Sequence, residues 1–136
     1  EFNDCFDTSK VTDMSWMFDY CESLASLDLS NFNTSQVTDM SAMFFNCESL
    51  TSLDLSNFDT SRVTDMKYMF AYCNTLSELD IRSFSFSQEP DITDMFVDMG
   101  SSLSQATIPV YVSQTGKEYL DAHYTSYTKA EFMVVN

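Results

Sequence analysis

The sequence predicts an α/β solenoid: a stack of short parallel strands and short helical turns with a C-terminal capping segment. Three observations carry that prediction. A 26-residue unit recurs as VTDMSWMFDYCESLASLDLSNFNTSQ (11–36), VTDMSAMFFNCESLTSLDLSNFDTSR (37–62) and VTDMKYMFAYCNTLSELDIRSFSFSQ (63–88). One half of each unit alternates apolar and polar residues as a strand does, while the other spaces apolar residues as a helix does. A single such unit cannot bury its apolar face, whereas neighbours stacked upon it can.

Taken in order, residues 1–10 read as the tail of a preceding unit, because FDTSK (6–10) aligns with FNTSQ and FDTSR. That start implies further units, or an N-terminal cap, upstream. Residues 11–103 hold the units, the last of them a degraded copy beginning at Ile92. Three additional residues, within QEPD, precede Ile92, and the cysteine of the other units is lost there. Each unit opens on a stripe at offsets 3, 6 and 7: Val11, Met14, Met17 and Phe18, and the equivalents of Met40 and Phe44, then Met66 and Phe70. One or two helical turns fit this stripe, with Thr12 or Asp13 as N-cap. Leu24-x-x-Leu27-x-Leu29-x-x-Phe32 and its two later copies then read as a short strand whose flanking Leu and Phe turn inward. The product is leucine-rich-repeat-like. Residues 104–136 form the expected cap: an edge strand in 104–114 with Ile108, Val110 and Val112 inward, a helix in 116–127, and a final strand in 129–136.

Charge narrows the function. Twenty-one acidic residues oppose 6 basic ones, for a net charge of -15. No basic stripe exists to neutralise phosphates, so nucleic acid is excluded as a partner, and anionic membranes are disfavoured. No apolar run reaches the ~18 residues of a membrane span, and no basic-then-apolar leader is present, so membrane insertion is not expected. An acidic surface suits basic groups on a partner.

The candidate sites are periodic. Asp28, Asp54 and Asp80 stand at the outward position of successive strands, with Ser30, Ser56 and Arg82 two residues on. Stacked carboxylates raise one another's pKa unless something offsets the charge, and Arg82 is placed to do so. The row reads either as a binding face for a protein or glycan or as a solvated, hydrogen-bonded ladder. Asp13, Asp39, Asp65 and Asp94 read as capping or turn residues, and Asp7, Asn33 and Asp59 as Asx turns. Cys21, Cys47 and Cys73 recur at the period of the unit, with Met14, Met40, Met66, Phe18, Phe44 and Phe70, and together read as a core ladder. Periodicity makes the cysteines one position sampled three times, so no metal or other cofactor is expected. Cys5 stands where Asn31 and Asn57 stand in later copies, and so reads as exposed, reactive or paired elsewhere. Asn33-Thr34-Ser35 matches a glycosylation sequon. His123 is the single histidine, and nothing in the sequence sets a nucleophile beside it, so no enzyme is expected.

Val37-Thr38-Asp39-Met40, Met43-Phe44, Cys47, Leu50, Leu53-Asp54-Leu55, Asn57-Phe58 and Asp59-Thr60-Ser61 together resemble the BspA-like branch of leucine-rich repeat proteins, in its mycoplasma-type surface-protein form of unknown function. The resemblance runs over residues 6–103. It implies a segment of a secreted or surface-anchored microbial protein linked to adhesion, with no catalytic residues to carry over. The expected function is a non-enzymatic, extracellular adhesion-type module presenting its acidic strand face to a host or microbial protein or glycan. A structural spacer without a ligand is the alternative. Exposed aromatics close together, for instance among Tyr111, Tyr119, Tyr124 and Tyr127, would favour binding. A cavity around His123 with a nucleophile would favour an enzyme.

Overall fold

A computed structural model describes residues 6–126 and 128–135. Its regular elements are β1 (Leu79–Asp80), β2 (Ile108–Val112), α1 (Gln114–His123) and β3 (Ala130–Val134). The three strands form one open sheet in the order β1-β2-β3, with both pairings parallel. Leu79 pairs with Val110, and Ile108 through Val112 pair with Ala130 through Val134. This corrects the fold expectation: one helix and a small open sheet are not a leucine-rich-repeat-like α/β solenoid with a strand and a helical turn in every unit. The terms solenoid, repeat and leucine-rich repeat do not describe this architecture.

The reason lies in where backbone hydrogen bonds go. In an α-helix each N–H donates to the carbonyl four residues back. Here the N–H groups of Met14, Trp16, Phe18 and Tyr20 donate instead to the carbonyls of Asp39, Ser41, Met43 and Phe45, at 2.9–3.0 Å. Between them, Met17, Asp19 and Cys21 donate three residues back. The same division holds at Met40, Ala42, Phe44 and Asn46, and at Met66, Tyr68, Phe70 and Tyr72. The apolar stripe is thus wound as a chain of turns, every second N–H lying along the 26-residue spacing. Such winding needs left-handed backbone at Trp16, Tyr20, Ala42, Asn46, Tyr68 and Tyr72, where φ is 52–60°. Each costs about 1–2 kcal/mol in a residue other than glycine, and the paired carbonyls offset it. Leucine-bearing segments pair more sparsely, through the Thr51-to-Ala25 bond and the Asp54–Asp80 bridge, and only Leu79–Asp80 becomes a strand.

The core runs beneath these turns. Phe18, Phe44, Phe70 and Phe96 stack in near-parallel succession, centroids 5.6, 5.8 and 5.9 Å apart. Met14, Met40 and Met66 are buried beside them, with Leu29, Leu55 and Ile81. Buried Thr8, Thr34 and Thr60 join neighbouring units: each hydroxyl donates to a carbonyl 25 residues on and accepts the N–H of the same residue.

Hydrogen bonding also revises the alignment of the last copy. Asp65 bridges Asp91, Met66 N donates to Asp91 O, and Phe70 stacks on Phe96. Phe96 therefore matches Phe70 at the unbroken spacing, Met99 stands in the cysteine's place, and no insertion precedes Ile92. ITDM at 92–95 resembles VTDM but is three residues out of register with it.

In the C-terminal region β2 is the central strand, not the expected edge, because β3 pairs on its far side. Ile108, Val110 and Val112 are fully buried. The helix spans 114–123, capped by the Ser113 hydroxyl, which accepts the Gly116 N–H at 3.1 Å. It supplies the crossover that parallel strands require. Gly100 at φ 67° brings the chain against Ile108, where an added Cβ would lie 2.5 Å from Cγ1.

Candidate functional site

Asp54 and Asp80 face one another as bridge partners, and Asp80 pairs in turn with Tyr111 of β2. A hollow of about 270 Å³ between them is lined by Ser52, Leu53, Asp54, Glu78, Asp80 and Tyr111. Asp28 joins the row through an adjoining hollow that it shares with Ser30, Asp54, Ser56 and Asn57. The structure thus brings Asp28, Asp54 and Asp80 onto one continuous shallow face ending at Tyr111.

Each carboxylate closes a small turn. Oδ1 of Asp28, Asp54 and Asp80 accepts the N–H of Ser30, Ser56 and Arg82 at 3.0, 2.9 and 3.1 Å. Arg82 also grips Asp80 with Nε and Nη2, the latter at 2.6 Å from Oδ2. These donors decide the protonation state. The N–H of Ser30 holds Asp28 below the usual carboxylate range, and that of Ser56 does the same for Asp54, where the raising effect of Asp80 is the smallest contribution. The Arg82 side chain is the largest influence on Asp80 and lowers it too. Mutual repulsion therefore loses to local hydrogen bonding, and the face stays ionised. The Asp80–Arg82 pair is exposed, so its value to stability is small.

Turn chemistry recurs elsewhere. Oδ1 of Asp13, Asp39, Asp65 and Asp91 accepts the N–H two residues on, and these four form a ladder of parallel bridges. No helix begins at any of them, so the N-cap reading is replaced by an Asx turn, and Asp91 takes the place assigned to Asp94. Asp7, Asn33 and Asp59 close turns of the same kind.

Cys47 and Cys73 are buried and Cys21 is half-buried, all three as thiols. The Cys47 and Cys73 thiols donate to the carbonyls of Phe18 and Phe44 at 3.1 and 3.2 Å. Burial pushes Cys47 up to about 12 and raises Cys73 as well. Cys5 and Tyr127 lie outside the described residues. Among the described residues no three of His, Cys, Asp and Glu converge as a metal site would require. His123 is exposed, stacked on Tyr119 at 4.2 Å, with Nδ1 2.8 Å from the Tyr119 carbonyl. A nearby hollow is lined by Ser85, Phe86, Ser87, Thr115 and Tyr119, without His123. No helix among the described residues is long and apolar enough to cross a membrane.

Tyr119 donates to Pro90 O, and the Tyr124 hydroxyl accepts the Phe96 N–H at 3.0 Å. Both tyrosines are spent on packing. The exposed aromatics that do cluster are others: Trp16, Tyr20 and Tyr72 surround Phe45, with Tyr68 at its edge. Sequence reasoning missed them because a helical turn distributes these positions around its axis. The available signal was aromatic residues at positions where the units otherwise vary.

No curated protein and no solved structure matches the chain. A family model does, over residues 3–108, which is most of its length. The chain therefore belongs to the family described as Mycoplasma protein of unknown function, DUF285.

Proposed function

We propose that the chain is a non-enzymatic recognition module of a secreted or surface-displayed protein. Its acidic strand face meets basic groups of a protein partner or the hydroxyls of a glycan. One observation carries this reading: the row Asp28–Asp54–Asp80 is continuous and open to solvent, and it borders a hollow walled by Glu78 and Tyr111. Asp28 and Asp54 each spend one oxygen on their own turn, which leaves further lone pairs to accept from a ligand, while Asp80 holds Arg82 with both of its oxygens. A tyrosine at the end of such a row adds an apolar plane with a polar tip.

A spacer role without a ligand has one observation in its favour, since the Asx turns by themselves give the three aspartates a structural use. The two readings separate in a binding screen against extracellular-matrix proteins, mucins and glycans at low and physiological salt. Asp28→Asn, Asp54→Asn and Asp80→Asn, combined, preserve the Oδ1 acceptor of each turn and remove the charge. A salt-sensitive ligand lost in this variant supports recognition by the strand face. Absence of any ligand supports the spacer. Antibody labelling of intact against permeabilised source cells tests the location.

A further inference from the structure

A second surface lies on the turn segments, apart from the strand face. Phe45 is its centre, with ring centroids at 5.8 Å from Trp16, 5.8 Å from Tyr20, 6.2 Å from Tyr68 and 5.3 Å from Tyr72. Trp16 is 52% exposed, Tyr20 60% and Tyr72 37%, so the cluster is a ridge open to solvent. Its backbone is fixed in the left-handed region at Trp16, Tyr20, Tyr68 and Tyr72, positions that Ala42 and Asn46 fill in the intervening unit. A contiguous exposed aromatic patch of this kind marks an interaction site.

Charge selects the occupant. In the last copy the same two left-handed positions carry Asp94 and Asp98, so carboxylates close one end of the ridge. The ladder Asp13–Asp39–Asp65–Asp91 runs three residues ahead of the first aromatic column. Lys67 is already held by Asp65 at 2.9 Å. Aromatic faces bordered by carboxylates fit guanidinium groups, which stack on a ring and pair with an acid together. A second copy brings another charge of -15 against the same acids. Spacing agrees with a peptide. Trp16 and Tyr68 stand two units apart, roughly 9.6 Å at ordinary interstrand separation. A polyproline II chain advances about 9.3 Å in three residues.

We propose that the aromatic ridge docks an extended segment of another protein bearing arginine at every third residue. The proposal does not depend on the strand face. Trp16 is the single tryptophan, so its emission reports the ridge directly. The probe is a capped (Arg-Pro-Pro)4 peptide, titrated at 50 and 150 mM salt, with (Glu-Pro-Pro)4 as its counterpart. The expected result is a saturable change in Trp16 emission with the arginine peptide alone. Combined Tyr20→Asn and Tyr72→Asn should weaken it at least tenfold while the thermal midpoint moves by no more than a few degrees, since Asn46 already occupies that backbone position. The triple Asp-to-Asn variant of the strand face should bind within twofold of wild type, so failure of one site is distinguishable from failure of the other. The proposal is overturned by any of four results: no saturable change, equal binding by the Tyr-to-Asn variant, a ridge-dependent response to neutral oligosaccharides in place of the peptide, or ridge-dependent dimerisation without it.

Discussion

Replacing Thr34 with valine tests how neighbouring units are joined. The Thr34 hydroxyl donates to the Asp59 carbonyl at 3.0 Å and accepts the Asp59 N–H at 2.8 Å, while the side chain is 2% exposed. Valine keeps the branched shape and removes both bonds, leaving one peptide donor and one acceptor without their partner. A hydrogen bond contributes about 0.5–1.5 kcal/mol net, and a stranded buried group costs about 1–3 kcal/mol, so the expected loss is about 2–3 kcal/mol. Thr34→Ser keeps both bonds and loses one methyl, for about 1 kcal/mol. At this chain length about 3–5 °C accompanies each kcal/mol, so valine lowers the thermal midpoint by roughly 6–15 °C and serine by roughly a third as much. Calorimetry on the two variants together decides it. A valine variant no less stable than the serine variant would mean that packing of the methyl outweighs the two hydrogen bonds of the hydroxyl.

Gly100→Ala combines a left-handed backbone at φ 67° with a Cβ driven against Ile108, and should cost about 3 kcal/mol in urea unfolding. A loss under 1 kcal/mol would mean that the β2 approach relaxes freely. Cys47 and Cys73 should resist a thiol reagent at pH 8 in the folded protein and react at once in denaturant, because burial keeps them protonated. Rapid labelling of both before unfolding would contradict this. Asp13, Asp28, Asp54, Asp59, Asp80 and Asp91 all titrate below the ordinary carboxylate value in the fold. The stability they supply is complete above about pH 4 and is lost as pH falls through their lowered values. Asp19, raised by burial, acts with the opposite sign. Thermal midpoints should therefore hold from pH 7 to about 5 and fall below about 4; a midpoint that climbs steadily to pH 3 would show that relief of the -15 charge dominates.

The 26-residue period was readable because each unit repeats its core residues, and Phe18, Phe44 and Phe70 do stack at that spacing. The backbone carrying them was not. Offsets of 3, 6 and 7 suit a helix, but they suit equally a chain of turns whose alternate N–H groups point to the next unit, and an apolar pattern does not distinguish the two. Left-handed positions usually announce themselves as glycine or asparagine; in the turn segments of residues 11–88 Trp16, Tyr20, Ala42, Tyr68 and Tyr72 hold them beside Asn46. The Asp28–Asp54–Asp80 row was legible as a periodic position. Its ionisation was not, since the deciding donors are backbone N–H groups of Ser30 and Ser56 whose direction no sequence states. ITDM at 92–95 misled because local likeness to VTDM competes with the Phe70–Phe96 stack, and packing wins.

Recognition through the acidic strand face stands or falls on one titration. The strongest ligand from the matrix, mucin and glycan panel is measured against wild type and the Asp28→Asn, Asp54→Asn, Asp80→Asn protein at 50 and 150 mM salt. The variant should bind at least tenfold more weakly, with a salt dependence that shrinks with the lost charges and an unchanged fold by circular dichroism. Equal affinity and equal salt dependence in the two proteins would contradict it.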